Sequence, residues 1–394
     1  MNRPTAARHP AGDFGSLRVM HVVSSTDRRG AQLFASDLVA ALRGSDVAQR
    51  VVALRGTDGP ATLFEAPTRI LVRDAVRSRF DLRVARGLRA EMAAFQPDVI
   101  QAHGGETLKY TVPLTVGHPR SVVYRRIGST PVWASTKAQR KMYGALMRRS
   151  ASVVAVSEAT RSETIEMFHV DPERIVTIPN AVAAGRMRPG RPREEVRTEI
   201  GVSADAHMVL SVGALTWEKD PLGQLAIAEA AMRRAPGVVL VLAGDGPLRR
   251  DLESEIEERG LAGVVRLLGV RQDVPDLLAA SDVLLLASST EGMPAVVIEA
   301  GLLGLPVAAH ALGGVPDVVE SGRTGVLAAP GDRDGLAASL ADLLRDGNRR
   351  AAMGRAAAER CRGAFEISAV ALRYLEVYER VASAPSRRTA DRVT

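Results

Sequence analysis

Cysteine is almost absent: Cys361 is the only one in 394 residues. No disulfide can form within the chain, so a reducing compartment is the natural expectation. Aromatic residues make up 4% against 46% hydrophobic residues in all. The cores must therefore be built from Ala, Val, Leu and Ile, which suits parallel sheets covered by helices on both faces. No stretch offers about 18 uninterrupted apolar residues, which argues against a spanning helix. The nearest approach, Ala295 to Val315, contains Glu299, His310 and several glycines. The opening segment MNRPTAARHPAGDFGS has charge and proline but no apolar run, unlike a secretory signal. These absences predict a cytoplasmic protein. Lysine is scarce too: Lys109, Lys137, Lys141 and Lys219 are the only four among 52 basic residues.

The length fits two domains better than one. Short apolar runs bounded by turn residues alternate with helical patterns, which implies βαβ units and parallel sheets. In the first half the strand-like runs are Arg18–Ser24, Arg50–Leu54, Asp98–Ala102, Ser121–Tyr124, Val153–Ser157 and Ile175–Pro179. A stretch rich in Gly, Pro and Arg, Ala183 to Arg193, carries no periodicity and reads as a linker. The rhythm then restarts, with strands expected at His207–Val212, Val238–Ala243, Val264–Leu267, Val283–Ala287, Val307–Ala309 and Gly325–Ala328. The expected organisation is a tail over 1–16, a Rossmann-like domain over 17–185, a linker over 186–200 and a second Rossmann-like domain over 201–364. A helix over 365–382 crosses back to the first domain, and a disordered tail occupies 383–394.

The densest chemical signal is SSTEGMPAVVIEAGLLGLP, Ser288 to Pro306. It follows an apolar strand, breaks at Gly292 and Pro294, and then turns helical. Proline is tolerated at the first helical position, where its missing N–H costs nothing. The amides of Ala295 and Val296 would then point out of a helix N-terminus, where a phosphate is stabilised. Glu291 on the preceding loop and Glu299 inside the helix offer carboxylates that accept paired hydroxyl donors. Taken alone, two such glutamates could merely cap the helix.

With its surroundings, the segment resembles the donor site of family-four retaining glycosyltransferases of the GT-B fold, known also as glycosyl transferases group 1. The resemblance rests on five further segments in family order: VAVSEATR (Val154–Arg161), VTIPNAV (Val176–Val182), VGALTWEKD (Val212–Asp220), LVLAGDGPLRRDLE (Leu240–Glu253) and VRLLGVRQDVPDLLAASDVLLLAS (Val265–Ser288). It implies two Rossmann-like domains facing a central cleft and transfer of a sugar from a nucleotide-diphosphate sugar to a hydroxyl. It also implies retention of configuration, no metal and no cofactor. Carried over residue by residue, it implies that Glu299 binds the ribose and Glu291 the sugar, and that Lys219 and the Gly292-Met293-Pro294-Ala295-Val296 backbone hold the diphosphate. Gly30, Gly213, Gly244, Val270 and Arg271 fall on matching donor-side positions.

Independently of the resemblance, Asp220 and Pro221 read as an N-cap and first helical residue, which sets Lys219 just ahead of a helix N-terminus. One departure stands out. The family often carries an arginine after Gly213, and here that position is Ala214, so Arg271 or an arginine of the first domain would have to supply the charge. His103 ends a strand at the carboxyl edge where such sheets bind ligands, with a catalytic role and a structural one both open. Where the family has a histidine after the next strand, this chain has Arg125 and Arg126, expected on the acceptor side. Asp332-Arg333-Asp334 opens a helix and reads as a cap rather than a metal site.

Net charge is +7, and its location matters more than its size. From Thr107 to Ser157 there are nine basic residues and no acidic one. Residues 131–150 mix cations with Trp133, Met142, Tyr143, Leu146 and Met147 at helical spacing. That fits a core-facing helix with a solvated basic side, an anionic membrane surface at the inner face, or an anionic acceptor. No nucleic-acid motif accompanies the charge. Rival readings are another GT-B enzyme, an epimerase or phosphorylase, or an inactive nucleotide-sugar-binding protein.

Overall fold

A computed structural model of the chain describes residues 16–27, 29–56, 63–64, 66–73, 80–116, 121–128 and 134–384. The expected tails, except at their inner ends, and the residues Arg28, Arg120 and Trp133 lie outside these.

The alternation of apolar runs and amphipathic stretches folds into two wholly parallel sheets. The first contains β1 (Leu17–Val23), β2 (Val47–Arg55), β3 (Thr68–Val72), β4 (Val99–His103), β5 (Ser121–Arg126), β6 (Ser152–Ala155) and β7 (Ile175–Thr177). Its helices are α1 (Gly30–Ala41), α2 (Leu82–Phe95), α3 (Gly105–Thr115), α4 (Lys137–Arg149) and α5 (Glu158–Phe168). The order is β3-β2-β1-β4-β5-β6-β7. Neighbouring residues along each strand feed opposite cores: Val19, Val99 and Val123 pack with Phe34 and Leu38 of α1, whereas Met20, Ile100 and Val122 pack with Val84 and Leu88 of α2. That period of two is why these strands read as continuous apolar runs.

The second half begins with α6 (Arg193–Glu199), then alternates β8 (His207–Val212), α7 (Pro221–Met232), β9 (Val238–Ala243), α8 (Arg249–Glu258), β10 (Val265–Gly269), α9 (Val274–Ala280) and β11 (Val283–Leu286). It continues through α10 (Ala295–Leu302), β12 (Val307–His310), α11 (Val315–Val318), β13 (Gly325–Ala328), α12 (Arg333–Arg345) and α13 (Gly347–Ala364). The order is β10-β9-β8-β11-β12-β13. In each sheet the winding reverses once, between β1 and β4 and between β8 and β11. Ligands bind such sheets beyond the carboxyl ends of the strands at that reversal. The chain therefore has a GT-B fold, two doubly wound units with their carboxyl edges turned to a shared cleft.

The last helix, α14 (Ile367–Ser383), packs on the first sheet. Its apolar stripe, Ile367, Val370, Ala371, Tyr374, Val377, Tyr378 and Val381, has the spacing of one helix face and is buried against Phe34, Val99 and Val123. Each large apolar side chain enclosed there contributes roughly 2 kcal/mol. The Tyr378 hydroxyl donates to Gln101 Oε1 at 2.9 Å, so its polar end is satisfied. The chain passes between the sheets twice, and the two passages are bonded to each other. Val182 N donates to the Phe365 carbonyl at 3.1 Å, and Ile367 N donates to the Val182 carbonyl at 3.2 Å.

Two features differ from the sequence expectations. Edge strand β3 was not anticipated, because TRILV is only partly buried and lacks a clean pattern. The segment expected as a linker over 186–200 contains α6 and is anchored rather than loose: Arg191 pairs with Asp273, Asp276 and Glu199.

Candidate functional site

The second sheet builds one wall of the cleft from two loops. After β8 the chain turns through Thr216 to Asp220 and enters α7. Asp220 adopts φ 46° and its side chain accepts from Gly223 N at 3.0 Å, capping the helix with Pro221 at its first position. Gln224 donates to the Lys219 carbonyl at 2.6 Å, which fixes the backbone that carries the lysine. The second loop, Ser288 to Pro294, leads into α10. The two loops are tied by Ser289 N donating to the Glu218 carbonyl at 2.8 Å.

Lys219 Nζ reaches Glu291 Oε1 at 2.5 Å, and Ser288 Oγ donates to the same oxygen at 2.6 Å. Lysine, glutamate and serine thus form a closed cluster beside the N-terminus of α10. Pro294 is the residue just outside that helix, so Ala295 rather than Pro294 is its first turn, and no side chain caps it. Its first residue, Ala295, lines the cleft cavity. Such an end is an anion site in waiting.

Glu299 lies one turn further in and is 9% exposed. Burial pushes its carboxyl pKa up, Arg186 opposes that, and Asp37 adds to it. Arg186 is gripped by Asp37 of α1, with Nη2 to Oδ2 at 2.8 Å, and stands 4.0 Å from Glu299. Close packing also sets this wall. A side chain on Gly244, at φ 153°, would collide with the Gly213 carbonyl, and one on Gly292 would collide with the Ile127 carbonyl of the opposite wall. The two walls touch there.

The first sheet builds the other wall from the ends of β1, β4 and β5. Residues alternate along β5, so Arg125 and Arg126 face opposite sides. Arg125 projects over the Phe34 ring, 3.6 Å from its centroid, and donates Nη2 to Asn180 Oδ1 at 2.9 Å. Arg126 points away from the cleft toward α5 and binds the Thr160 carbonyl, Thr164 and Glu163. The acceptor-side expectation for Arg126 is therefore corrected: its charge is spent on holding α5.

His103 is also enclosed. Its Nε2 lies 3.3 Å from His21 Nδ1, the rings stack, and Phe34 and Tyr378 close over the pair. Burial, then the neighbouring His21 and Arg125, hold its pKa well below the usual imidazole range, and burial lowers that of His21 to about 4. Both rings are neutral at ordinary pH. His103 does not line the cleft cavity, so its expected direct catalytic part gives way to a supporting position.

Between the walls lies a cavity of about 200 Å³, lined by Gly30, Ala31, Arg125, Ile127, Val156, Asn180, Lys219, Met293, Pro294 and Ala295. It brings together the start of α1, the start of α10 and two cations. Asn180, in the NAV segment, joins the walls: its Nδ2 donates to the Met293 carbonyl at 3.1 Å and its N–H to Met293 Sδ at 3.1 Å. Sequence reasoning gave Asn180 no role; only its pairing with Met293 reveals one. Val270 and Arg271 are not among the cavity's lining residues. Arg271 is held by Asp273 and Glu199, each near 2.8 Å or less, so it does not replace the charge missing at Ala214. Asp332 accepts from Gly335 N and caps α12, as its sequence setting implied.

In α4, Tyr143 and Met147 turn inward while Lys137, Lys141, Met142, Arg148 and Arg149 are exposed. Among the described residues no helix is long and apolar enough to cross a membrane.

Two family patterns match consecutive parts of the chain: "Glycosyltransferase Family 4" over residues 28–186 and "Glycosyl transferases group 1" over residues 192–360. The chain is 34% identical over 237 residues to the D-inositol 3-phosphate glycosyltransferase of Thermobispora bispora, an alignment that takes in 57% of this chain and only 55% of that one. It is 27% identical to the alpha-D-kanosaminyltransferase of Streptomyces kanamyceticus, over 72% of this chain and 71% of the relative. In structure it is similar to HepE of Anabaena, solved with UDP and glucose, at a TM-score of 0.80 and 21% identity over 92% of this chain and 100% of that one.

Proposed function

The chain belongs to the group 1 glycosyltransferases of the GT-B fold, and on that premise we propose that it moves a sugar from a nucleoside-diphosphate sugar to an acceptor hydroxyl, with retention of configuration and without a metal ion. The observation that carries the reading is the meeting of Lys219, Glu291 and the uncapped start of α10 at one cavity. A diphosphate brought there meets amide dipoles and an ammonium, which stabilise the charge that develops as it leaves. Without a ligand, Lys219 is neutralised by Glu291. When phosphate oxygens take the ammonium, the Glu291 carboxylate is released toward the sugar hydroxyls beside it. Glu299 is set to accept from the ribose diol, and its partial desolvation strengthens those bonds. The departing phosphate accepts the proton of the incoming hydroxyl, since no described side chain in the cavity is placed as a nucleophile.

Calorimetry with UDP, GDP, ADP and dTDP tests the donor, followed by NMR of the product's anomeric centre and turnover in chelator. Binding by none of the four, or an inverted product, overturns the respective part. The exposed cations and Met142 of α4 support docking on an anionic membrane; sedimentation with phosphatidylglycerol vesicles checks it, and no binding at low salt rejects it.

A further inference from the structure

Arg125 is an unusual buried cation. It is 1% exposed, and its Nε and Nη1 make no hydrogen bond. The Tyr374 hydroxyl lies close by without closing one. Among the described residues no carboxylate lies within ion-pair distance of it. A guanidinium left this way is costly, because water has been removed and no counter-charge has replaced it. Arginines elsewhere in the molecule do not share the condition: Arg126, Arg186, Arg191 and Arg271 all hold carboxylates.

The position of the unmet charge is informative. Arg125 lines the same cavity as Lys219, Gly30 and Ala295. Lys219 and Glu291 cancel, so Arg125 is the net charge of that lining. A nucleoside diphosphate carries about two or more negative charges, and amide dipoles with a half-occupied lysine offset them incompletely. Asn180 accepts from the guanidinium and donates to the Met293 carbonyl. It thereby fixes Arg125 relative to the loop that ends at α10.

We propose that Arg125 is the second diphosphate-binding cation of this cleft, delivered by the first sheet in place of the charge that Ala214 does not supply. The proposal rests on the donor reading above and adds the residue and the wall from which the charge comes. The ligand completes the coordination of Arg125, so the donor also bonds the two walls together.

The test is calorimetry with the full chain, using whichever nucleoside diphosphate binds the wild type, and its parent nucleoside. Arg125→Met weakens the diphosphate about tenfold or more and leaves the nucleoside unchanged. Arg125→Lys recovers most of the loss. The melting temperature of ligand-free Arg125→Met is no lower than that of the wild type, an outcome that a purely structural role does not give. If Arg125→Met does not fold, Arg125→Gln, which keeps a donor toward Asn180, takes its place. Unchanged diphosphate affinity, while Lys219→Ala lowers it, overturns the proposal and leaves the donor reading standing. Intact diphosphate affinity with a raised acceptor KM assigns the guanidinium to the acceptor and also overturns it. A wild type that binds no nucleotide removes the donor reading itself.

Discussion

The two walls of the cleft are built on the same βα plan but treat charge in opposite ways. On the wall of the second sheet, the central charges are met in place: Lys219 pairs with Glu291, and Glu291 also accepts from Ser288. On the wall of the first sheet, polar groups are enclosed and under-satisfied. Arg125 lacks two bonds, and the outer nitrogens of His21 and His103 make none. The central pair of one wall is self-satisfied; the other wall holds a buried guanidinium with unmet donors. Under the proposed donor reading, recognition is divided between a pair that must open and a charge that waits.

The comparison breaks most visibly at the self-neutralised pair. Lys219→Ala and Glu291→Gln each lower kcat by about 10²–10³-fold, the range for removing one preorganised charge contact, with little change in melting temperature. Turnover of Glu291→Gln equal to wild type would remove that carboxylate from the mechanism.

Next in size is the pH response of the histidine wall. The pKa of His21 is about 4 in the folded chain against 6.5 for an ordinary imidazole. As pH falls, the unfolded chain binds the proton first, so stability is complete above about 6.5 and is lost toward 4. The loss from this group alone is on the order of 3 kcal/mol. Melting temperatures between pH 7.5 and 4.5 should fall steeply for the wild type and less for His21→Gln; parallel curves would contradict the assignment.

A smaller effect separates the two ends of the donor. Glu299→Ala lowers nucleoside affinity about tenfold, the range of hydrogen bonds to a charged acceptor, and leaves pyrophosphate binding alone. Equal losses for both ligands would place Glu299 elsewhere. Smallest is the cap that positions Lys219. Asp220→Ala destabilises by about 1 kcal/mol in urea unfolding. Asp220→Gly costs less, since φ 46° suits glycine; the reverse order would show that the cap bond is unimportant.

The part of the second sheet's wall around Lys219, Glu291 and Glu299 was legible in the sequence because its determinants are neighbours along the chain, whereas Val270 and Arg271 were expected beside it and do not line the cavity. Glu291, Pro294 and Glu299 sit in one loop and helix, and Asp220-Pro221 marks the helix that places Lys219. The fold class was legible for the same reason, since each βα step writes its own pattern. The wall of the first sheet was not. Arg125 and Arg126 are adjacent, and only the pleat of β5 decides which one faces the cleft. His103 is enclosed by Phe34 and by His21, which in turn meets Tyr378 of α14, from the far end of the chain. The bond from Asn180 to Met293 spans a separation that no local pattern records.

The closing contribution of α14 bears on how the chain matures. Synthesis proceeds from the N-terminus, yet the helix that covers Phe34, Val99 and Val123 is translated after both sheets. Until it emerges from the ribosome, the face of the first sheet beside α1 stays uncovered, while the second unit can complete its core beforehand. Chain order and maturation order are therefore reversed for this part of the protein, and the earlier half depends on residues made after the second unit to hide an adhesive surface.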